Sequence, residues 1–326
     1  MTVESEKLLF VGIDTSNYTT SCGLCDGEGR VIANIKKMLP VKLGERGLRQ
    51  SDALFAHIKN LPECMDKLKE VINGKLTEGY RIAAIGCSAT PRDNEGSYMP
   101  CFLAGIASAH SLCAGLEGLE IYEFSHQCGH VRAAIYSSGN EYIKNSPFGA
   151  FHVSGGTTDV LYCVPRDVGF DIELVGTSRD INAGQAIDRT GVLMGLSFPA
   201  GREMEALANG YEGKISGVSV CVKGMDCNLS GLENKARELY EKTLDRAQVS
   251  AYVFEFVGKT LYKMSEAFRS EYGDIPIIYA GGVMSNNRIK QKLSKIANTY
   301  FSEPEFSSDN AAGISLLTRD RYFREK

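Results

Sequence analysis

No apolar run in this 326-residue chain approaches the roughly 20 residues that a membrane-spanning helix needs. Residues 1–7 carry two glutamates and no hydrophobic stretch, so they do not read as a secretory signal. A cytoplasmic chain with no membrane partner is the expectation. Net positive charge is also missing. The 36 Lys and Arg against 40 Asp and Glu leave −4, which excludes a globally basic nucleic-acid binder but not a local basic patch. Low-complexity tracts are absent, and 43% hydrophobic with 23% charged residues is the composition of a folded globular chain. Among ten cysteines only Cys22 and Cys25 have CxxC spacing, with no second such pair. Neither a zinc ribbon nor a disulfide framework is expected, and thiols inside apolar patterns act as small hydrophobes.

What is present reads as an α/β arrangement used twice. Residues 8–15, 20–25 and 30–38 alternate and break like a β-meander. Helical periodicity over 54–71, a buried strand at 82–88, a small-residue helix at 102–116 and a strand at 119–124 follow. The pattern then partly repeats. Strands at 149–153 and 159–164 flank a tight turn, and helices are predicted at 183–193 and 201–208. A long helical region over 234–270, a strand at 275–280, a helix at 285–297 and a last helix near Asp309 complete it. This length favours two domains, set at residues 1–125 and 126–326, with the last helix packing back on the first lobe.

Several short segments suit chemistry. Ser154-Gly155-Gly156-Thr157-Thr158-Asp159 offers glycines that let backbone N–H groups face a phosphate, with hydroxyls as further donors. The same residues also make an ordinary hairpin turn. Ser16-Asn17-Tyr18-Thr19-Thr20 stands at the corresponding place in the first half. Ala280-Gly281-Gly282 leads a strand into a helix, where Asn286 suits either a ribose or base edge or a helix cap. Asp188, near the Phe198-Pro199-Ala200-Gly201 loop, is a carboxylate for ribose hydroxyls or a solvated helix charge.

The histidines are more pointed. His126 and His130 lie four apart, on one face of a helix, where two imidazoles can share a metal ion. A random pair of this spacing is as readily two capping or buried histidines. Here the pair directly follows a strand, and Asp309 near the far end of the chain offers a carboxylate. Zinc proteases place a water-activating glutamate after the first histidine. This chain has Gln127 there, which cannot act as a base, so peptidase chemistry by that route is excluded.

In this order, the segments resemble the tRNA threonylcarbamoyladenosine transferase family, the TsaD or glycoprotease group. Its GI[DE]TS is matched by Gly12-Ile13-Asp14-Thr15-Ser16, its HxxGH by His126, Gly129 and His130, and its VSGG by Val153-Ser154-Gly155-Gly156. Its AGEAFDK is similar to Ala183-Gly184-Gln185-Ala186-Ile187-Asp188-Arg189, its YPGG to Phe198-Pro199-Ala200-Gly201, and its FSGLK to Leu229-Ser230-Gly231-Leu232-Glu233. Its AGGVxxN is matched by Ala280 to Asn286, and its TDNAA by Ser308-Asp309-Asn310-Ala311-Ala312. The resemblance implies two actin/Hsp70-like (ribonuclease H-like) lobes around a nucleotide cleft. It implies a divalent metal, iron or zinc, on His126, His130 and Asp309. A nucleotide, ATP or threonylcarbamoyl-AMP, is implied at His152, Val153, Ser154, Gly155, Gly156, Thr157, Asp188, Gly201 and Asn286.

The activity implied is transfer of a threonylcarbamoyl or carbamoyl group from an adenylate to the exocyclic amine of a tRNA adenosine. tRNA and the other subunits of a threonylcarbamoylation complex are the implied partners, in a homo- or heterodimer. The chain departs from the pattern. Two acids usual after GI[DE]TS are replaced within Asn17-Tyr18-Thr19, Thr157 stands in place of a histidine, and Glu233 replaces a lysine. These changes mark a divergent paralogue. They leave room for a small-molecule acceptor, or for a non-catalytic nucleotide-binding subunit beside a true family member. No catalytic residue is identified from sequence.

Overall fold

A computed structural model describes residues 7–16, 18–40, 48–116 and 119–326. Asn17, within the segment at 16–20, lies outside the described residues. The chain opens with β1 (Leu8–Ser16), β2 (Thr19–Asp26), β3 (Val31–Met38) and α1 (Gln50–Thr77), then β4 (Arg81–Thr90), α2 (Phe102–Ala114), β5 (Glu120–Ser125) and α3 (His126–Ser137). The second half holds β6 (Phe148–Val153), β7 (Thr158–Pro165), β8 (Phe170–Thr177), α4 (Ala183–Leu193), α5 (Gly201–Asn209) and the short pair β9 (Cys221–Lys223) and β10 (Asp226–Asn228). It continues with α6 (Gly231–Thr243), α7 (Arg246–Tyr272), β11 (Ile277–Ala280), α8 (Asn287–Leu293), β12 (Thr299–Phe301) and finally α9 (Ala312–Glu325).

Two compact units result. One comprises Met1–Tyr136, Pro165–Asp171 and Ser308–Lys326, the other Ser137–Val164 and Ile172–Ser307. The sequence reading starts the second lobe at residue 126, whereas this division keeps α3 and its histidines in the first unit. The first sheet runs β3-β2-β1-β4-β5 and the second β8-β7-β6-β11-β12, so the same strand order is used twice. In each, a meander meets parallel strands: β1 is antiparallel to β2 and parallel to β4, and β6 is antiparallel to β7 and parallel to β11. The helical region at 234–270 breaks at Leu244, whose φ is 53°, and Asp245 caps α7 by accepting from Ala247 N and Gln248 N. No helix among the described residues is long and apolar enough to cross a membrane.

Every residue of β1 is buried, because helices cover both faces of its sheet. Strand alternation sorts the side chains. Leu9, Val11 and Ile13 pack with Leu61, Cys64 and Ala104 of α1 and α2. Leu8 and Phe10 pack on the opposite face with Leu316 and Tyr322 of α9. Gly12 continues this second face, and it is paired with Gly23 on β2 and Gly86 on β4. Three glycines thus stand side by side across three strands, and α9 lies on them. A Cβ at Gly12 would fall 2.4 Å from Ala311 O, at Gly23 2.5 Å from the same atom, and at Gly86 1.9 Å from Thr318 Oγ1. The contact repeats against α3, where a Cβ on Gly313 would fall 1.8 Å from Gly129 O.

On the α1 face His57 is wholly buried, with Nδ1 2.9 Å from Thr20 Oγ1. Burial pushes its imidazole down to about 4, against the pull of Asp14 and Asp309.

Two measurements follow from this packing. Gly12→Ala or Gly86→Ala is expected to lower unfolding free energy in urea by about 1–3 kcal/mol through overpacking. Gly155→Ala, where a Cβ would meet open space, is expected to stay within about 0.5 kcal/mol of the parent. The second concerns acid. Between pH 6.5 and about 4 the unfolded chain protonates His57 while the folded chain does not, so folding weakens as pH falls through that window. The urea midpoint should drop between pH 7 and pH 5, and His57→Gln should flatten that drop; an equal drop in both proteins would refute the assignment.

Candidate functional site

The strand parity that turns Leu8, Phe10 and Gly12 toward α9 turns Asp14 the same way, and Asp14 is wholly buried. β5 ends at Ser125 and α3 begins at His126, so His126 and His130 occupy one helical face at the end of the sheet. Their ring centroids are 4.3 Å apart with planes at 82°. The glycine contact between α3 and α9 brings the start of α9 against this face. Asp309, three residues before that helix, reaches both rings: its Oδ1 is 3.2 Å from His130 Nε2 and 3.6 Å from His126 Nε2. The sequence reading begins the last helix near Asp309; it begins at Ala312, and Asp309 stands in the loop before it.

One donor atom from each of His126, His130 and Asp309 lies within 4.8 Å of the other two, and all three residues are half-buried. Two imidazoles and one carboxylate suit a divalent ion such as iron or zinc, with coordination positions left for other ligands. On the far side of the His126 ring, Nδ1 is 3.2 Å from Asp14 Oδ1, while Asp14 Oδ2 accepts the Ser16 hydroxyl at 2.7 Å. Burial works to push the His126 imidazole down, but Asp14, by charge and hydrogen bond, and then Asp309 carry it above its usual range. Ser88, on the same sheet face as Gly86, is wholly buried and its hydroxyl has no hydrogen-bond partner.

The remaining candidates lie in the second unit. His152 is half-buried and Val153 buried at the end of β6, and Ser154-Gly155-Gly156-Thr157 turns into β7. The sequence reading has these N–H groups facing a phosphate. In the structure Gly156 N and Thr157 N both donate to Ser154 Oγ at 3.1 Å, so the turn is closed by its own hydroxyl. Neither Gly155 nor Gly156 has an atom within 4 Å of where a Cβ would stand, apart from Ser154 Oγ at 4.0 Å from the latter, so a ligand can approach the backbone there. Gly184 at the start of α4 abuts the turn, and Asn182 Nδ2 donates to Gly156 O at 2.7 Å. Gly281, with φ 104°, packs against the Val153 carbonyl.

Asp188 accepts from Ala200 N at 2.8 Å and also takes the N–H of Gly201, so it ties α4 to the start of α5; burial pushes its carboxyl up against those two bonds. Asn286 serves as the helix cap, accepting from Ile289 N at 3.1 Å, while its buried Nδ2 has no partner. Glu233, which replaces the family's lysine, bridges Arg189 at 2.8 Å and Arg237 at 3.2 Å. Thus 152–157, Gly184 and Gly281 come together, as do Asp188 and Gly201. Asp14 was not singled out from sequence as a neighbour of the histidines, although β1 parity with Gly12 was available to place it.

Comparison with known proteins accords with this arrangement. The family model described as tRNA N6-adenosine threonylcarbamoyltransferase matches residues 33–316. A tRNA N6-adenosine threonylcarbamoyltransferase of Thermus thermophilus is 31% identical over 321 residues, spanning 96% of this chain and 93% of that protein. A probable bifunctional tRNA threonylcarbamoyladenosine biosynthesis protein of Thermoplasma volcanium is 27% identical over 94% of this chain, which spans 55% of that longer relative. Among solved structures, component A of the Acidaminococcus fermentans (R)-2-hydroxyglutaryl-CoA dehydratase aligns with TM-score 0.54 and 13% identity, covering 97% of this chain and 99% of that one. That likeness concerns the fold alone.

Proposed function

The chain belongs to the tRNA N6-adenosine threonylcarbamoyltransferase family, and from that premise we propose that it transfers a threonylcarbamoyl group from an adenylate to the exocyclic amine of a tRNA adenosine, with one divalent ion held by His126, His130 and Asp309. The observation that carries the reading is the convergence of Asp309 on two histidines far earlier in the chain, at 3.2 and 3.6 Å. Such a convergence has no packing purpose that apolar side chains would not serve better.

In the reaction the amine nitrogen attacks the carbamoyl carbonyl carbon of threonylcarbamoyl-AMP. A C–N bond forms, the C–O bond to the phosphate breaks, AMP leaves with the electron pair, and the amine gives up a proton. A divalent ion held by His126, His130 and Asp309 would supply positive charge to stabilise developing negative charge. The chain's own residues hold the donor. Residues 152–157 receive the phosphate, where Gly155 and Gly156 leave the backbone open to close approach. Asn286 offers a buried donor with no protein acceptor, suited to the nucleoside. Asp188 shapes the Ala200–Gly201 backbone through its hydrogen bonds and presents its remaining acceptor capacity to ribose hydroxyls.

The test is direct. The full chain, loaded with zinc or ferrous iron, is incubated with threonylcarbamoyl-AMP, unmodified tRNA and an active set of partner subunits. Nucleosides are then resolved by mass spectrometry. Threonylcarbamoyladenosine is expected, and His130→Ala should reduce it by about 100-fold or more while lowering bound metal per chain, a rise of about 2.7 kcal/mol or more in the barrier. Absence of modified adenosine with the parent chain, when the partners are active, overturns the proposal.

A further inference from the structure

On the reading that His126, His130 and Asp309 hold a divalent ion, we propose that Asp14 is the positioning carboxylate of that centre: it accepts a hydrogen bond from Nδ1–H of His126, fixes the ring in that tautomer, and so presents the Nε2 lone pair to the ion. The two nitrogens of His126 face different carboxylates. Nδ1 lies 3.2 Å from Asp14 Oδ1 and Nε2 lies 3.6 Å from Asp309 Oδ1. A neutral imidazole can donate on only one side. Donation toward Asp14 leaves Nε2 as the ligand atom, the side on which His130 and Asp309 also gather.

Asp14 is placed for this and for little else. It is wholly buried at the end of a strand whose preceding same-face residues, Leu8 and Phe10, are apolar. Among the described residues no lysine or arginine pairs with it, and His126 is its ionic partner. A buried carboxylate costs several kcal/mol in desolvation unless it is compensated, so an apolar residue would serve the fold better. Its second oxygen is fixed by the Ser16 hydroxyl at 2.7 Å, so the carboxylate is held in register with the ring rather than free to turn. Outer carboxylates that orient a ligating histidine raise its basicity and typically account for 10–100-fold in metal affinity.

The experiment uses the full chain and zinc, with affinity measured by competition against a chelator and the coordination followed by cobalt(II) absorption. Asp14→Asn is expected to bind zinc about 10–100-fold more weakly and to shift the cobalt spectrum. Nitrogen-15 NMR of histidine-labelled, metal-free protein should show His126 losing its Nδ1–H preference in Asp14→Asn and keeping it in His130→Ala, which should lose zinc binding. A folded Asp14→Asn protein with parental zinc affinity and cobalt spectrum overturns the positioning role. Should Asp14→Asn fail to fold, Ser16→Ala serves: a weaker zinc site and a shifted cobalt spectrum support the role, and unchanged ones overturn it. A parent chain that binds no divalent metal overturns the metal reading itself, and this inference with it.

Discussion

The first unit depends on one contact, the seating of a helix directly on backbone. α9 lies across Gly23, Gly12 and Gly86, and Gly313 within it meets the carbonyl of Gly129. At each of these points a single methyl group would collide with a main-chain atom or a buried hydroxyl. Close packing of this kind defines the position of a helix more tightly than interdigitated side chains do, because there is no rotamer through which the mismatch can relax. The consequence reaches the candidate site. Asp309 stands immediately before α9, so fixing the helix fixes the carboxylate relative to α3. The glycine of His126-Gln127-Cys128-Gly129-His130 therefore has a structural purpose separate from its histidines: it is the surface against which the helix that follows Asp309 is set.

The electrostatics follow from that geometry. Three ionisable side chains and Asp14 are gathered where the sheet ends and the solvent is largely excluded. Buried carboxylates without cations are costly, and imidazoles without counter-charges lose their protons. Here each offsets the other, which is why His126 is pushed up in spite of its burial. His57 is the contrast on the opposite face of the same sheet. It has a threonine hydroxyl for company instead of a carboxylate, and burial drives it down to about 4. The two histidines differ in what the adjoining strand residue supplies, and strand parity decides which residue that is.

Much of this was legible in the sequence, and the limits have physical causes. The hairpins, the repeat of an α/β pattern and the helical face shared by His126 and His130 all follow from local periodicity. The meeting of Asp309 with the histidines depends on a long-range packing that no local pattern encodes, although glycines at 12, 23, 86, 129 and 313 were its trace. The break at Leu244 does not stand out in the helical pattern over 234–270, since Asp245 reads as a helix cap only once the flanking helices are separate. The turn at Ser154 shows the reverse. Its Gly-Gly sequence suggested free N–H groups, yet a serine hydroxyl at the first position competes for them and closes the turn on itself.

The two units use one strand order and fill it differently. In the second unit, the glycine that opens the middle strand β6, Gly149, is covered by the Phe268 ring of α7, with a would-be Cβ 2.6 Å from Cε1. In the first unit Gly12 and Gly23 receive main-chain atoms at the start of α9, and Gly86 receives the Thr318 hydroxyl. The repeated architecture thus takes a helix start and a hydroxyl on the glycines of one copy and an aromatic ring in the other, while the second copy leaves space open at Gly155 and Gly156.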